Sequence, residues 1–250
     1  MALYSFIQFI SVLVLYTKNT NLGDTQYLYI DLVITTTVAV LMGRTGPWHT
    51  LVSQRPPGSL VSGGNLMSVG LQILASLLGQ LSAVSYLEMQ SWNTDPHPPD
   101  PDSDDEEVVV DYVTSVVFVV SCYQYLSVAT VFSKGPPYRR PFFTNTLFTV
   151  SVAVLASFTA ILYLNLIPSL STFFQLMIPE MPRYWRFIFV IFGIISCNTL
   201  LNISIELLLV TGSWVKRLSH FICQKKQPKN KYKILQQQLQ SHPDLFRDTD

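Results

Sequence analysis

Residues 27–42 read Tyr27-Leu-Tyr-Ile-Asp-Leu-Val-Ile-Thr-Thr-Thr-Val-Ala-Val-Leu-Met42. The stretch is apolar enough for a membrane interior, yet it carries one carboxylate, Asp31. A charged side chain at the centre of a membrane helix costs about 2.5 to 3.5 kcal/mol on insertion scales, so it persists where it meets a partner, a cavity or a passing cation. Both fold and function therefore turn on what surrounds Asp31.

Five more apolar runs accompany it, at Met1–Thr17, Leu66–Leu87, Val108–Phe132, Leu147–Ile167 and Phe187–Val210. A spanning helix needs about 20 apolar residues, or about 17 at the short end, so the last four runs qualify comfortably and the first two are short. The chain is 49% hydrophobic and 13% charged over 250 residues. Its charges crowd into the connections and the tail, and Asp31 and Glu206 stand out inside runs. This pattern predicts an all-α membrane protein: a six-helix transmembrane bundle over residues 1–215, an acidic loop over 88–107 and a basic tail over 216–250. Met1-Ala-Leu-Tyr has no basic residue before its apolar stretch and no small-residue cleavage site after it. It makes a poor signal peptide and reads as an internal Met of a longer chain.

Basic residues set orientation, because they are retained on the cytosolic side of short loops. The connection 43–65 holds Arg44 and Arg55, the connection 133–146 holds Lys134, Arg139 and Arg140, and the tail holds eight more, among them Lys216, Arg217, Lys225 and Lys226. Thirteen of the 16 basic residues thus fall on one face if the runs alternate. That face is expected to be cytosolic, with the C-terminus on it. Trp48 and Trp214 fall just beyond helix ends on that side, while Trp92 and Trp185 flank ends on the other, as interfacial aromatic belts require. The opposite face is acidic. Between Arg55 and Lys134 there is no Lys or Arg, yet Glu88, Asp95, Asp100, Asp102, Asp104, Asp105, Glu106, Glu107 and Asp111 cluster around a Pro-rich segment. Such a segment cannot bury a core. It is a solvated spacer, or, through Asp102, Asp104, Asp105, Glu106 and Glu107, an electrostatic funnel for cations at a lumenal mouth.

The polar residues of the first two runs fall in register. Tyr4, Gln8 and Ser11 recur at helical spacing on one run, and Tyr27, Asp31 and Thr35 on the next. If the two faces meet, a carboxylate, an amide, hydroxyls and two aromatic rings converge near mid-membrane. That inventory suits an organic cation, with Asp31 neutralising an ammonium, Gln8 and Thr35 accepting hydrogen bonds, and Tyr4 and Tyr27 offering cation–π surfaces. A hard metal ion would usually be given more carboxylate oxygens. No metal and no nucleic acid are expected partners. Asn198, Asn202 and Glu206 form a second stripe near the end of the last run, read as structural. Cys122 and Cys197 lie in apolar runs and Cys223 in the basic tail, so they suggest no disulfide framework.

At Tyr4-Ser-Phe-Ile-Gln-Phe-Ile-Ser, Asn21-Leu-Gly-Asp, Ile30-Asp-Leu-Val-Ile-Thr-Thr-Thr-Val-Ala-Val, Gln54-Arg-Pro-Pro-Gly and Ser133-Lys-Gly-Pro-Pro-Tyr-Arg-Arg-Pro, the chain resembles the C-terminal membrane half of a P5B-type ATPase. These are polyamine-transporting P-type ATPases of endosomes and lysosomes, the 13A group. The resemblance implies that the six runs are the fifth to tenth helices of a ten-helix transport core. It also implies a translocase in which ATP, with Mg2+, phosphorylates a cytosolic aspartate while polyamine passes from lumen to cytosol. The family's pocket residues carry over onto Tyr4, Gln8 and Asp31. The phosphorylated Asp-Lys-Thr-Gly-Thr motif and the nucleotide-binding domain do not occur in these 250 residues, so this chain has no cofactor of its own and is not expected to hydrolyse ATP alone. Two functions remain open: the transport region of such an ATPase, completed by an N-terminal half, or a non-catalytic short isoform that binds or interferes with a full-length partner. In the tail, Lys225-Lys-Gln-Pro-Lys-Asn-Lys-Tyr-Lys is expected to attract anionic membrane lipids.

Overall fold

The computed structural model describes residues 2–49, 63–92, 111–133, 135, 138–179 and 185–211. Six apolar helices account for most of them: α1 (Ala2–Tyr16), α2 (Asp24–Met42), α3 (Gly63–Glu88), α4 (Tyr112–Phe132), α5 (Thr146–Tyr163) and α7 (Trp185–Thr211), with a short α6 (Pro168–Phe173) after α5. Five of these are long and apolar enough to cross a membrane. The exception, α1, has 15 residues and is about 22 Å long, short of the roughly 30 Å hydrocarbon core. The protein is a multi-pass helical membrane bundle.

α4 is the centre of it. Its sequence is apolar on every side, which marks a helix with no solvent or lipid face, and sixteen of its 21 residues are buried. α1, α3, α5, α7 and the middle of α2 all pack on it. The surrounding helices keep one face out, with Phe9, Leu28, Leu32, Phe189 and Leu208 among the exposed apolar residues. Lipid is as apolar as these side chains, so van der Waals packing and polar contacts must hold the helices together.

The helix ends follow their local sequence. α1, α5 and α6 each close on a left-handed residue, Asn19 (φ 54°), Asn165 (φ 51°) and Gln175 (φ 51°). In each case the next N–H reaches back five residues, as Thr20 does to the Leu15 carbonyl at 3.2 Å, the Schellman arrangement. The fifth apolar run therefore stops being a helix at Tyr163, and Pro168 at the first turn of α6 restarts it. At the start of α5 the Asn145 side chain accepts from Phe148 N–H at 3.2 Å, an N-cap. The same Asn145 donates through Nδ2 to the Leu41 carbonyl at 2.8 Å, tying α5 to the end of α2. The two basic connections meet there: Pro47 and Arg139 form an antiparallel bridge, Trp48 N–H donates to the Tyr138 carbonyl at 3.2 Å and Arg140 N–H to Gly46 at 3.1 Å. Arg44, Arg139 and Arg140 belong to one end of the bundle. At the opposite end Lys18 pairs with Glu88, and Trp92 packs edge-on against Tyr112 and Phe187. Asp102, Asp104, Asp105, Glu106, Glu107, Trp214 and the basic tail lie outside the described residues.

A seam of amides joins α3, α4 and α7. On α3, Ser68, Gln72, Ser76 and Gln80 recur every fourth residue and are all buried. Gln80 Nε2 donates to Ser11 Oγ of α1 at 2.8 Å and to Gln124 Oε1 of α4 at 2.9 Å. Gln124 Nε2 donates to the Ser76 carbonyl at 2.9 Å and Asn198 Nδ2 to the Ala75 carbonyl at 2.7 Å. Gln72 Nε2 donates to the Asn202 carbonyl at 3.0 Å and Ser68 Oγ to Glu206 Oε2 at 2.8 Å. Gly79 makes the close approach possible, since a Cβ there would stand 2.6 Å from Asn198 Nδ2. Ser11 therefore belongs to this interior seam, bonded to α3 one turn along α1 from Gln8.

Candidate cation site around Asp31

α2 starts at Asp24, after Gly23, and the acidic residue in its first turn complements the helix dipole. From Tyr29 to Thr35 it runs as a π-helix and then returns to α-helix at Thr36. Hydrogen bonds to the fifth residue put more residues in each turn, a local change that recurs at functional sites. One consequence is visible at once: the residue stacked over Asp31 is Thr36, whose hydroxyl donates to the Asp31 carbonyl at 3.1 Å. Tyr29 holds the other side of the π segment. Its ring packs against Phe118, Phe158 and Phe174 with centroids 5.5–6.0 Å away, and its hydroxyl lies 3.3 Å from Thr159 Oγ1. With Tyr29 anchored inward, Asp31 is turned to the flank of the bundle, where it is exposed.

Two donors reach it there, both from α1. The Tyr4 hydroxyl donates to Asp31 Oδ1, and Gln8 Nε2 donates to the same oxygen at 3.3 Å. The Tyr4 ring is braced against Tyr125 of α4, centroids 5.2 Å apart. The other two residues read from the sequence stand elsewhere. Tyr27 donates its hydroxyl to Asn21 Oδ1 at 3.4 Å, and no bond links it to Asp31. Thr35 makes no bond to Asp31 either; its Oγ1 is buried without a hydrogen-bond partner. It faces a slot of about 290 Å³ whose other walls include Tyr4, Ile7, Ile34, Tyr125 and Val128. The site is thus a carboxylate held by a phenol and an amide, beside a narrow apolar slot sharing Tyr4 with it.

Among the described residues, no group of three or more His, Cys, Asp or Glu side chains is placed to hold a metal ion. Glu206 is buried and bonded to Ser68. Reading residue by residue from the sequence missed the seam on α3, although its spacing of four was there to be seen.

The fold and this site define a class: a multi-pass helical membrane protein presenting a carboxylate from within a membrane helix. The chain is 41% identical, over 97% of its own length, to polyamine-transporting ATPase 13A2 of Mus musculus, of which the match covers 20%. It is 48% identical to polyamine-transporting ATPase 13A2 of Homo sapiens over 68% of the chain and 14% of that protein. Polyamine-transporting ATPase 13A3 of Homo sapiens is 36% identical over 98% of the chain, the match covering 21% of that protein. No family model matches the chain. The chain belongs to the 13A family of polyamine- and cation-transporting ATPases, the P5B group its motifs resemble, and spans about one fifth of the length of the relatives it matches most fully.

Proposed function

We propose that this chain is the transmembrane transport region of a polyamine-transporting ATPase, and that Asp31 binds an ammonium group of the substrate with Tyr4 and Gln8. The observation that carries the reading is the convergence of Tyr4 and Gln8 on one oxygen of Asp31. A carboxylate so held keeps its orientation while its remaining lone pairs are free to meet a cation. A polyamine alternates ammonium groups with methylene chains, and the arrangement alternates likewise: a carboxylate, then an apolar slot with Thr35 and the Tyr4 and Tyr125 rings in its wall. The rings add cation–π attraction, and Tyr27, half-buried a turn before Asp31, completes the aromatic surround once a substrate draws it from Asn21.

In this reading the substrate moves from the lumen of a late endosome or lysosome to the cytosol. The basic connections and the C-terminal tail are cytosolic, and the acidic loop with Asp102, Asp104, Asp105, Glu106 and Glu107 faces the lumen. The meeting of Arg44, Arg139 and Arg140 at one end of the bundle supports this orientation. ATP and Mg2+ act on the N-terminal half of such an ATPase, and the residues of this chain contribute binding and alternating access. The test is Asp31→Asn in the full-length transporter: polyamine-stimulated ATPase activity disappears while expression holds. Undiminished stimulation by spermine rejects the assignment.

The exposed flank that carries Asp31 favours a second reading. Phe6, Phe9, Leu28 and Leu32 surround the site with open apolar surface, which a partner's helices would cover. A non-catalytic short form that seats this flank on another membrane protein would use the same surface. Co-purification of the chain with a full-length transporter, lost on Phe9→Lys, separates the two readings.

A further inference from the structure

The seam between α3, α4 and α7 has more acceptors than donors. Gln72 Oε1, Ser76 Oγ, Gln80 Oε1 and Asn202 Oδ1 are buried and have no hydrogen-bond partner, and their four residues are 0% exposed. The amide hydrogens of the same residues are engaged: Gln72 with Asn202, Gln80 with Ser11 and Gln124, and Asn202 with Ser127. In a membrane interior each unsatisfied group costs several kcal/mol. Polar side chains that only join helices would be paired with one another. Gln72 Oε1, Gln80 Oε1 and Asn202 Oδ1 are amide oxygens, which only accept, and the Ser76 hydroxyl can accept as well as donate, so what completes the three amides is a donor or a cation.

Spacing decides which. Ser68, Gln72, Ser76 and Gln80 are each four residues apart, about 6 Å along the axis. A water bridging two oxygens through hydrogen bonds of about 2.8 Å covers about 5.6 Å, and buried waters take about two to four polar partners. The ladder therefore fits a single file of waters. It does not fit the shell of a hard divalent cation, which gathers about six oxygens around one point. One end of the file is Glu206, 8% exposed and bonded to Ser68. The other end is Ser11, one turn along α1 from Gln8, which donates to Asp31.

We propose that this seam is a proton path running between Glu206 and the neighbourhood of Asp31. A proton from water at the Glu206 end adds to the carboxylate and forms the carboxylic acid. The acid then gives its proton to the first water of the file, which restores the carboxylate, and each water accepts one proton as it passes one on. No redox partner or metal is needed. Among the described residues of the helices packed against α7, the other ionisable groups fall elsewhere along their helices than the Ser68 contact of Glu206. Those of α3 are Tyr86 and Glu88, at its opposite end; those of α4 are Tyr112, Cys122, Tyr123 and Tyr125, all on the far side of the Asn202–Ser127 contact. Glu206 is the one carboxylate among the described seam residues. The proposal does not depend on polyamine binding at Asp31.

The test uses the whole chain in liposomes containing a pH-sensitive dye, with valinomycin and potassium clamping the potential. After a pH step, the dye is expected to respond several-fold faster than in protein-free liposomes. Glu206→Gln and Gln72→Leu should each return the rate to the protein-free value, whereas Glu88→Gln, a carboxylate outside the seam, should leave it unchanged. Ser76→Ala keeps every protein hydrogen bond, because Gln124 uses the Ser76 carbonyl, and removes only the unpartnered hydroxyl. It covers the case in which the other two variants misfold, and a several-fold slower flux is expected. A parent rate equal to that of protein-free liposomes, or a parent-like rate in Ser76→Ala or in a folded Glu206→Gln, overturns the proposal. Neither ATP nor polyamine is present, so failure here leaves the transport reading to its own test.

Discussion

Gln8 Nε2 lies 3.3 Å from Asp31 Oδ1, the oxygen that also accepts the Tyr4 hydroxyl, and neither donor uses Oδ2. The asymmetry separates two tasks within one carboxylate. One oxygen is positioned by α1, and in the proposed reading the other faces the ligand.

Gln8→Ala should therefore weaken polyamine binding less than Asp31→Asn. It removes one hydrogen bond of about 1 kcal/mol, roughly a fivefold rise in half-saturating polyamine, while Asp31→Asn removes the charge itself. Polyamine activation curves of the two variants in a full-length transporter compare them directly. Equal losses would make Gln8 a helix-packing residue.

Gly79→Ala should destabilise the bundle. The added Cβ would meet Asn198 Nδ2 at 2.6 Å and Gln124 Nε2 at 2.9 Å, and overpacking of this kind costs about 1 to 3 kcal/mol. Gly70→Ala, on the same helix with nothing within 4 Å, should be neutral or gain up to about 1 kcal/mol from helix propensity. Thermal unfolding of the purified chain in detergent should rank Gly70→Ala above the parent or level with it, and Gly79→Ala below.

Asn145→Ala should lower thermal stability by more than an ordinary cap. It removes the N-cap to Phe148 and the bond from Nδ2 to the Leu41 carbonyl together, about 1 kcal/mol for each. Asn145→Asp keeps the cap and loses the donor, so it should fall between. An Asn145→Asp melt equal to that of Asn145→Ala would assign the whole effect to the Nδ2 contacts with Leu41 and Thr45.

The acidic connection between α3 and α4 yields a salt-dependent prediction. If Asp102, Asp104, Asp105, Glu106 and Glu107 concentrate cations, their effect is long-range and screened, since the Debye length falls from about 30 Å at 0.01 M to about 8 Å at 0.15 M salt. Replacing them with Ser and Asn should raise half-saturating polyamine at low salt, leave maximal turnover alone and matter little at physiological salt. Activation curves of mutant and parent that coincide at both ionic strengths would reduce the segment to a spacer.

The helices were legible because length and apolarity alone dictate them: each run read from the sequence overlaps most of one helix of the bundle. Tyr4 and Gln8 were legible for a similar reason, since a spacing of four on a regular helix puts both on one face. The partners of Tyr27 and Thr35 were not. They depend on the hydrogen-bond register of α2, and that register changes where Tyr29 is gripped by Phe118, Phe158 and Phe174, side chains more than 80 residues away in sequence. The partner of Ser11 was not legible either, because Gln80 stands on another helix, 69 residues away in sequence. A run of polar residues on α3 carries little meaning until the facing Gln124, Asn198 and Asn202 are known to stand against it.

Near its first turn α2 is held by Gln26, which donates to the Phe174 carbonyl at 2.9 Å, and at its last by Asn145, which grips the Leu41 carbonyl at 2.8 Å. A rod pinned at both ends cannot slide or tilt as a whole; it can only bow. The place where it bows most easily is the π segment, whose wider turn can tighten to α-helix by shifting one hydrogen-bond register, and Asp31 sits on that segment. In the proposed reading, load applied to either end of α2 would turn the carboxylate that meets the substrate.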